Sequence, residues 1–77
     1  MTAREELEIA TNRALAYVDN DQPDLAADSF LSDIHKVPSL IGIALNRTTP
    51  EMVRDAVRLP HAECEKILLG FGLSLSD

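Results

Sequence analysis

Thr2-Ala3-Arg4-Glu5-Glu6-Leu7-Glu8-Ile9-Ala10-Thr11-Asn12-Arg13-Ala14-Leu15-Ala16-Tyr17-Val18, followed by Asp19-Asn20-Asp21-Gln22-Pro23, decides the fold class. At the α-helical repeat, Ala3, Leu7, Ala10, Ala14, Tyr17 and Val18 fall in one stripe, with Leu15 at its edge. Glu5, Ile9, Asn12, Arg13 and Ala16 fall opposite, so Ile9 is a large apolar side chain on an otherwise polar face. This spacing predicts a helix over 3–18. Thr2 and Glu5 complete a capping box, in which the hydroxyl accepts from the Glu5 amide and the carboxylate reaches back. Asp and Asn favour caps and turns, and proline suits a first helical turn, so 19–23 stops one helix and starts another.

Working outward, a second helix is expected over 23–36, with Ala26, Ala27, Phe30, Ile34 and Val37 sharing a face and Leu31 at its margin. Pro38 ends it, because the residue before a proline is pushed out of the α region. The run Leu40-Ile41-Gly42-Ile43-Ala44-Leu45 suits either a buried strand or a short buried helix. Ser39 as a cap and the lack of a partner strand favour the helix, with Gly42 admitting a neighbouring backbone. Thr49-Pro50-Glu51 then reads as cap, first-turn proline and first-turn acid of a helix whose stripe is Met52, Val53, Ala56, Val57 and Leu59. Pro60 separates it from a last helix with Cys64, Ile67, Leu68 and Phe71 on one face and Gly70 as a left-handed C-cap. The expected fold is all-α: a compact four- to five-helix domain built on an antiparallel helical hairpin. Residues 1–72 form the single domain, and 73–77 are expected to be a flexible C-terminal tail.

Seventy-seven residues allow one domain. The longest apolar run, 40–45, falls far short of the roughly 20 residues that span a bilayer. The acidic N-terminus lacks the apolar segment of a secretory leader. One Cys forms no internal disulfide, which fits a reducing compartment, and the expected location is cytoplasmic. A core this small rarely encloses a substrate pocket of roughly 300 Å3, so a non-enzymatic role is expected. Added buried area would make a homodimer favourable.

Charge is distributed unevenly. Residues 1–33 carry eight acids against Arg4 and Arg13, whereas 34–77 carry five acids and five bases, so the whole net charge of −6 resides in the first half. Such a field repels phosphate backbones and favours a protein partner with a basic surface.

Constellations for chemistry are sparse. Ser29, Ser32, Asp33 and His35 are near neighbours, yet a triad needs a base within reach of the nucleophile, and these side chains are expected to point into water. His61, Cys64 and Glu65 lie within one helical turn, with His35 the only further soft donor, short of the four ligands of a structural zinc site. No metal or cofactor is therefore expected. A helix-turn-helix across Leu59-Pro60-His61 would present Lys66 against Glu63 and Glu65, and only Arg47, Arg54 and Arg58 could reach phosphates, which argues against direct nucleic-acid binding. The three glycines, at 42, 70 and 72, form no phosphate loop.

Tyr17, Ala26, Phe30 and Pro38, with Ala14 as the small crossing residue, resemble the hairpin of a single tetratricopeptide repeat over 7–38. Arg13 stands where that repeat prefers Leu, and Asp33 where it prefers a small residue. One repeat cannot build a peptide-binding solenoid. A second string, Ser29-Phe30-Leu31-Ser32-Asp33 with Lys36 and Pro38, is similar to one in small uncharacterised all-α proteins of phages and prophages. There it continues to Lys-His-Pro, whereas Val37 replaces the His here. Ile67-Leu68-Leu69-Gly70-Phe71 is similar to the closing Gly-Phe of the same group. That resemblance implies no activity by itself; it points to a mobile-element protein, and small acidic proteins of that origin often act by binding a host protein.

The expected function is thus a non-catalytic, acidic protein-binding module. The candidate partner-binding surface combines Glu5, Glu8, Ile9, Asn12 and Arg13 with Asp28, Ser32 and Lys36, with Ile9 as apolar anchor. Three other readings stay open: an inhibitor of a nucleic-acid-handling host defence system (anti-CRISPR-like), a small helical DNA-binding regulator, and a self-assembling structural subunit.

Overall fold

A computed structural model of the chain describes residues 1–75. Its elements are α1 (Ala3–Asp19), α2 (Pro23–Lys36), a 3₁₀ turn (Pro38–Leu40), α3 (Ile41–Ala44), α4 (Thr49–Ala56), α5 (His61–Gly70) and a second 3₁₀ turn (Phe71–Ser74). The all-α fold is as expected, and within 40–45 the segment Ile41–Ala44 is α-helical, with Leu40 closing the preceding 3₁₀ turn.

The caps explain the hairpin. The Glu5 amide donates to Thr2 Oγ1 at 3.2 Å, and the Thr2 amide donates to Glu5 Oε1 at 3.0 Å, closing the capping box. At the other end Asp21 adopts a left-handed φ of 59°. The Gln22 amide then reaches the Tyr17 carbonyl at 2.9 Å, and the Asp21 amide reaches that of Val18 at 3.0 Å. This is a Schellman closure with Asp in the place usually given to Gly, which it tolerates because short polar side chains accept the left-handed region. Two residues after Asp21, Pro23 opens α2, and extended Val37 ends it ahead of Pro38.

α1 packs most extensively on α2; α5 then covers α1, and α4 covers α2. The core runs through Leu7, Phe30, Ile34, Leu40, Val53, Cys64 and Leu68. Small residues at Ala10, Ala14, Ala26 and Ala27 let the hairpin helices meet closely, and all four are buried. Phe71 lays its ring 6.0 Å from that of Phe30, centroid to centroid. Thr11 is fully buried as well, because its hydroxyl donates to the Leu7 carbonyl at 2.8 Å and leaves only its methyl to pack.

Several local expectations are corrected. Tyr17, Met52 and Leu59 were assigned to core stripes but are exposed. Gly42 has nothing within 4 Å of a notional Cβ, so no backbone approaches it. The close approach is at Gly72, where a Cβ would meet Leu7 Cδ2 at 3.1 Å. Gly70 is no left-handed cap: its φ of −60° continues the helix into the following 3₁₀ turn. Thr49 does not cap α4 by its side chain; Thr48 occupies the cap position, and the buried Thr49 hydroxyl donates back to the Ile43 carbonyl at 2.8 Å. That bond ties α4 to a carbonyl at the C-terminal end of α3 rather than satisfying the start of α4. Of the expected tail, Leu73 and Ser74 belong to the second 3₁₀ turn and Leu75 packs on the core, while 76 and 77 lie outside the described residues.

Candidate interaction surface

Four of the candidate residues project from the outer side of α1. Glu5, Glu8, Ile9 and Asn12 are all exposed, and Ile9 shows 42% of its surface. Ile9 also lines a groove of about 190 Å3 between α1 and α2, bounded by Glu6, Ala10 and Arg13 on one wall and by Asp33, Lys36 and Val37 on the other. The residues alternate at three- and four-residue spacing on both helices, which is why two facing helices can line one groove.

The floor of this groove holds a polar pair. Arg13 Nη1 donates to Asp33 Oδ1 at 3.3 Å, with side chains 64% and 13% exposed. Asp33 is therefore turned toward α1 and mostly covered, contrary to the expectation that it points into water. Its second oxygen, Oδ2, is buried and accepts no hydrogen bond. Covering a carboxylate costs free energy unless it is paired, so Arg13 is held over it.

Asp28 stands apart from this groove. It lines a second one of about 250 Å3 with Asp24, Arg54 and Arg58, between α2 and α4. Arg58 Nη2 lies 3.5 Å from Asp24 Oδ1, with both side chains largely exposed. The bases of the neutral half thus fold back beside the acids of α2. Ser32 and Lys36 follow Asp28 at helical spacing, so the three form a ridge dividing the two grooves. Of the candidate surface, Ile9, Arg13 and Lys36 line one groove, whereas Glu5 and Asn12 are exposed on α1 outside its lining. Asp28 faces another groove, and Glu8 reaches toward a third, shared with Arg4 and Leu69.

Apart from Asp33, which pairs with Arg13, the acids of the first half separate into two groups. Glu5, Glu6 and Glu8 sit at the start of α1 beside Ile9. Asp19, Asp21, Asp24 and Asp28 sit around the hairpin turn, where Arg54, Arg58 and His61 answer them. His61 Nδ1 lies 2.8 Å from Asp19 Oδ1, and that hydrogen bond raises the imidazole pKa above its ordinary value of 6.5. Slight desolvation opposes the rise, and attraction by Asp19 and Glu65 adds to it.

The remaining chemistry-bearing residues are engaged locally. His35 Nδ1 donates to the Leu31 carbonyl of its own helix at 2.7 Å. Cys64 is fully buried, and burial first, then the charge of Asp19, pushes its thiol pKa up. Among the described residues no three His, Cys, Asp or Glu side chains converge on a metal position. No helix of the described residues is long and apolar enough to cross a membrane.

Sequence reasoning missed one feature. Met52, Leu69 and Leu73 are exposed apolar side chains near the C-terminal turn, although Met52 was assigned to a core and Leu73 to a tail. The signal was present as two ten-residue stretches without charge, 37–46 and 67–76.

No family model, no curated protein and no solved structure matches the chain.

Proposed function

We propose that this chain is a non-catalytic binding module that docks the start of α1 on a basic protein surface. The observation that carries this reading is the half-exposed Ile9 over the α1–α2 groove, flanked by Glu5, Glu6 and Glu8. An apolar anchor ringed by like charges is costly to leave in water and unsuited to the core, and gains free energy when a partner covers it. The acids steer a basic surface toward it, and such surfaces are those with which proteins hold nucleic acid. A host defence enzyme that handles nucleic acid is the partner class we favour. An origin in a phage or prophage accords with the strings at 29–38 and 67–71.

The test is affinity capture from nuclease-treated bacterial lysate at low ionic strength, with wild type, Ile9→Arg, Glu5→Lys/Glu8→Lys and Asp28→Lys as baits. Wild type and Asp28→Lys are expected to retain the same basic protein, which the other two lose and which salt elutes as screening grows. Identical retention by all four baits, or retention that survives high salt, would contradict the assignment. A gel shift of duplex DNA by the purified protein would favour the regulator instead.

A further inference from the structure

Described residues of two stretches that carry no charge in the sequence, 37–46 and 67–76, meet at one end of the molecule. They line an open groove of about 430 Å3, with Gly42, Ile43 and Asn46 from the first and Gly70, Phe71 and Leu73 from the second. Thr48, Thr49 and Met52 complete it, so among the described residues not one lining side chain is charged. Leu73 is 87% exposed and stands between this groove and the smaller one that it shares with Leu69 and Gly72. The two charged residues of that smaller groove, Arg4 and Glu8, cancel.

We infer that this end is the interface of a two-fold homodimer, in which Leu73 of each copy enters the uncharged groove of the other. Three observations select a second copy as occupant. A two-fold interface must be self-complementary, and here ridge and groove adjoin on the same face. Glycine at 42 and 70, each with open space where a Cβ would stand, keeps the groove wide enough to admit a side chain. Charge decides between possible faces. With a net charge of −6, two copies repel through any acidic face, whereas the groove is lined by no charged described side chain and Glu8, in the neighbouring groove, is accompanied by Arg4, so joining there sets the fewest acids against one another.

Size supplies the drive. Of the seventeen buried apolar residues among those described, seven are alanines, while Met52, Leu69 and Leu73 remain outside. A stable interface covers roughly 800 Å2 per partner, about a sixth of the 4826 Å2 surface of this chain. The inference does not depend on the docking role of α1.

Sedimentation equilibrium of the full chain, from micromolar to millimolar concentration, tests it. Wild type is expected to rise from the 8.4 kDa of one chain toward twice that mass, and Ile9→Arg to do the same. Leu73→Asp is expected to weaken association at least tenfold with an unchanged helical circular dichroism spectrum, since that side chain is exposed. Gly42→Leu, which fills the groove without adding charge, should weaken it too. A wild-type mass fixed at one chain overturns the inference, as does undiminished association in both variants. An apolar peptide that shifts groove amides of a strictly monomeric protein would assign the groove to another partner.

Discussion

Arg13 of α1 and Asp33 of α2 meet across the hairpin as an ion pair at 3.3 Å. The consequence is asymmetric. Arg13→Leu strands a mostly covered carboxylate, with a cost of about 1 kcal/mol expected in urea unfolding. Asp33→Ala leaves only an exposed guanidinium and should cost less. The double variant Arg13→Leu/Asp33→Ala should return close to wild type; a loss equal to the sum of the two would show that the pair is not coupled. Neither partner's role could be read from the sequence, because a helical wheel assigns charged residues to water and cannot see one across a groove. Thr11 was hidden for a related reason: its hydroxyl is satisfied within its own helix, so a polar residue serves as core.

The helices themselves were legible wherever local chemistry sets their ends. Thr2 with Glu5, the Asp19–Pro23 turn and Pro38 each act within a few residues, and α1 and α2 begin and end within one residue of expectation. Features that depend on another element were not legible. Gly42 and Gly72 look alike in sequence, yet only the latter is pressed against Leu7. Met52 fits an amphipathic stripe, but no element covers its side of α4. The contact between Asp19 and His61 also joins distant elements, the end of α1 to the start of α5. No basic residue lies in the last turn of α1, so the imidazolium of His61 supplies the cation that a helix C-terminus favours. Because the folded pKa is raised, this contribution is fully present below pH 6.5 and is lost as pH rises through the raised value. NMR titration should therefore place His61 above 6.5, and Asp19→Asn should return it toward the ordinary value. The stability difference between the two proteins should shrink with rising pH across that window. An unshifted His61, or a difference that grows with pH, would show that the contact does not persist in solution.

Charge divides the molecule into ends with different capacities. Around the hairpin turn, acids and bases lie side by side and largely answer one another. Among the described residues, no charged side chain lines the C-terminal groove. Glu5, Glu6 and Glu8 accompany Ile9 at the start of α1, and under the proposed docking role this is where a basic partner would gain both attraction and apolar contact. Net charge alone located the acidic half, but folding decides which acids remain available, since Arg54 and Arg58 come from the neutral half to sit beside Asp24 and Asp28. Titration of the isotope-labelled chain with a short peptide of arginine, lysine and leucine, followed by backbone amide shifts at low and high salt, separates these ends. Shift changes are expected to concentrate at 5–13 and 33–37, to fade at high salt, and to vanish in Glu5→Lys/Glu8→Lys. Changes centred on 19–28 or on the uncharged groove, or a response indifferent to that double substitution, would contradict a docking role for α1.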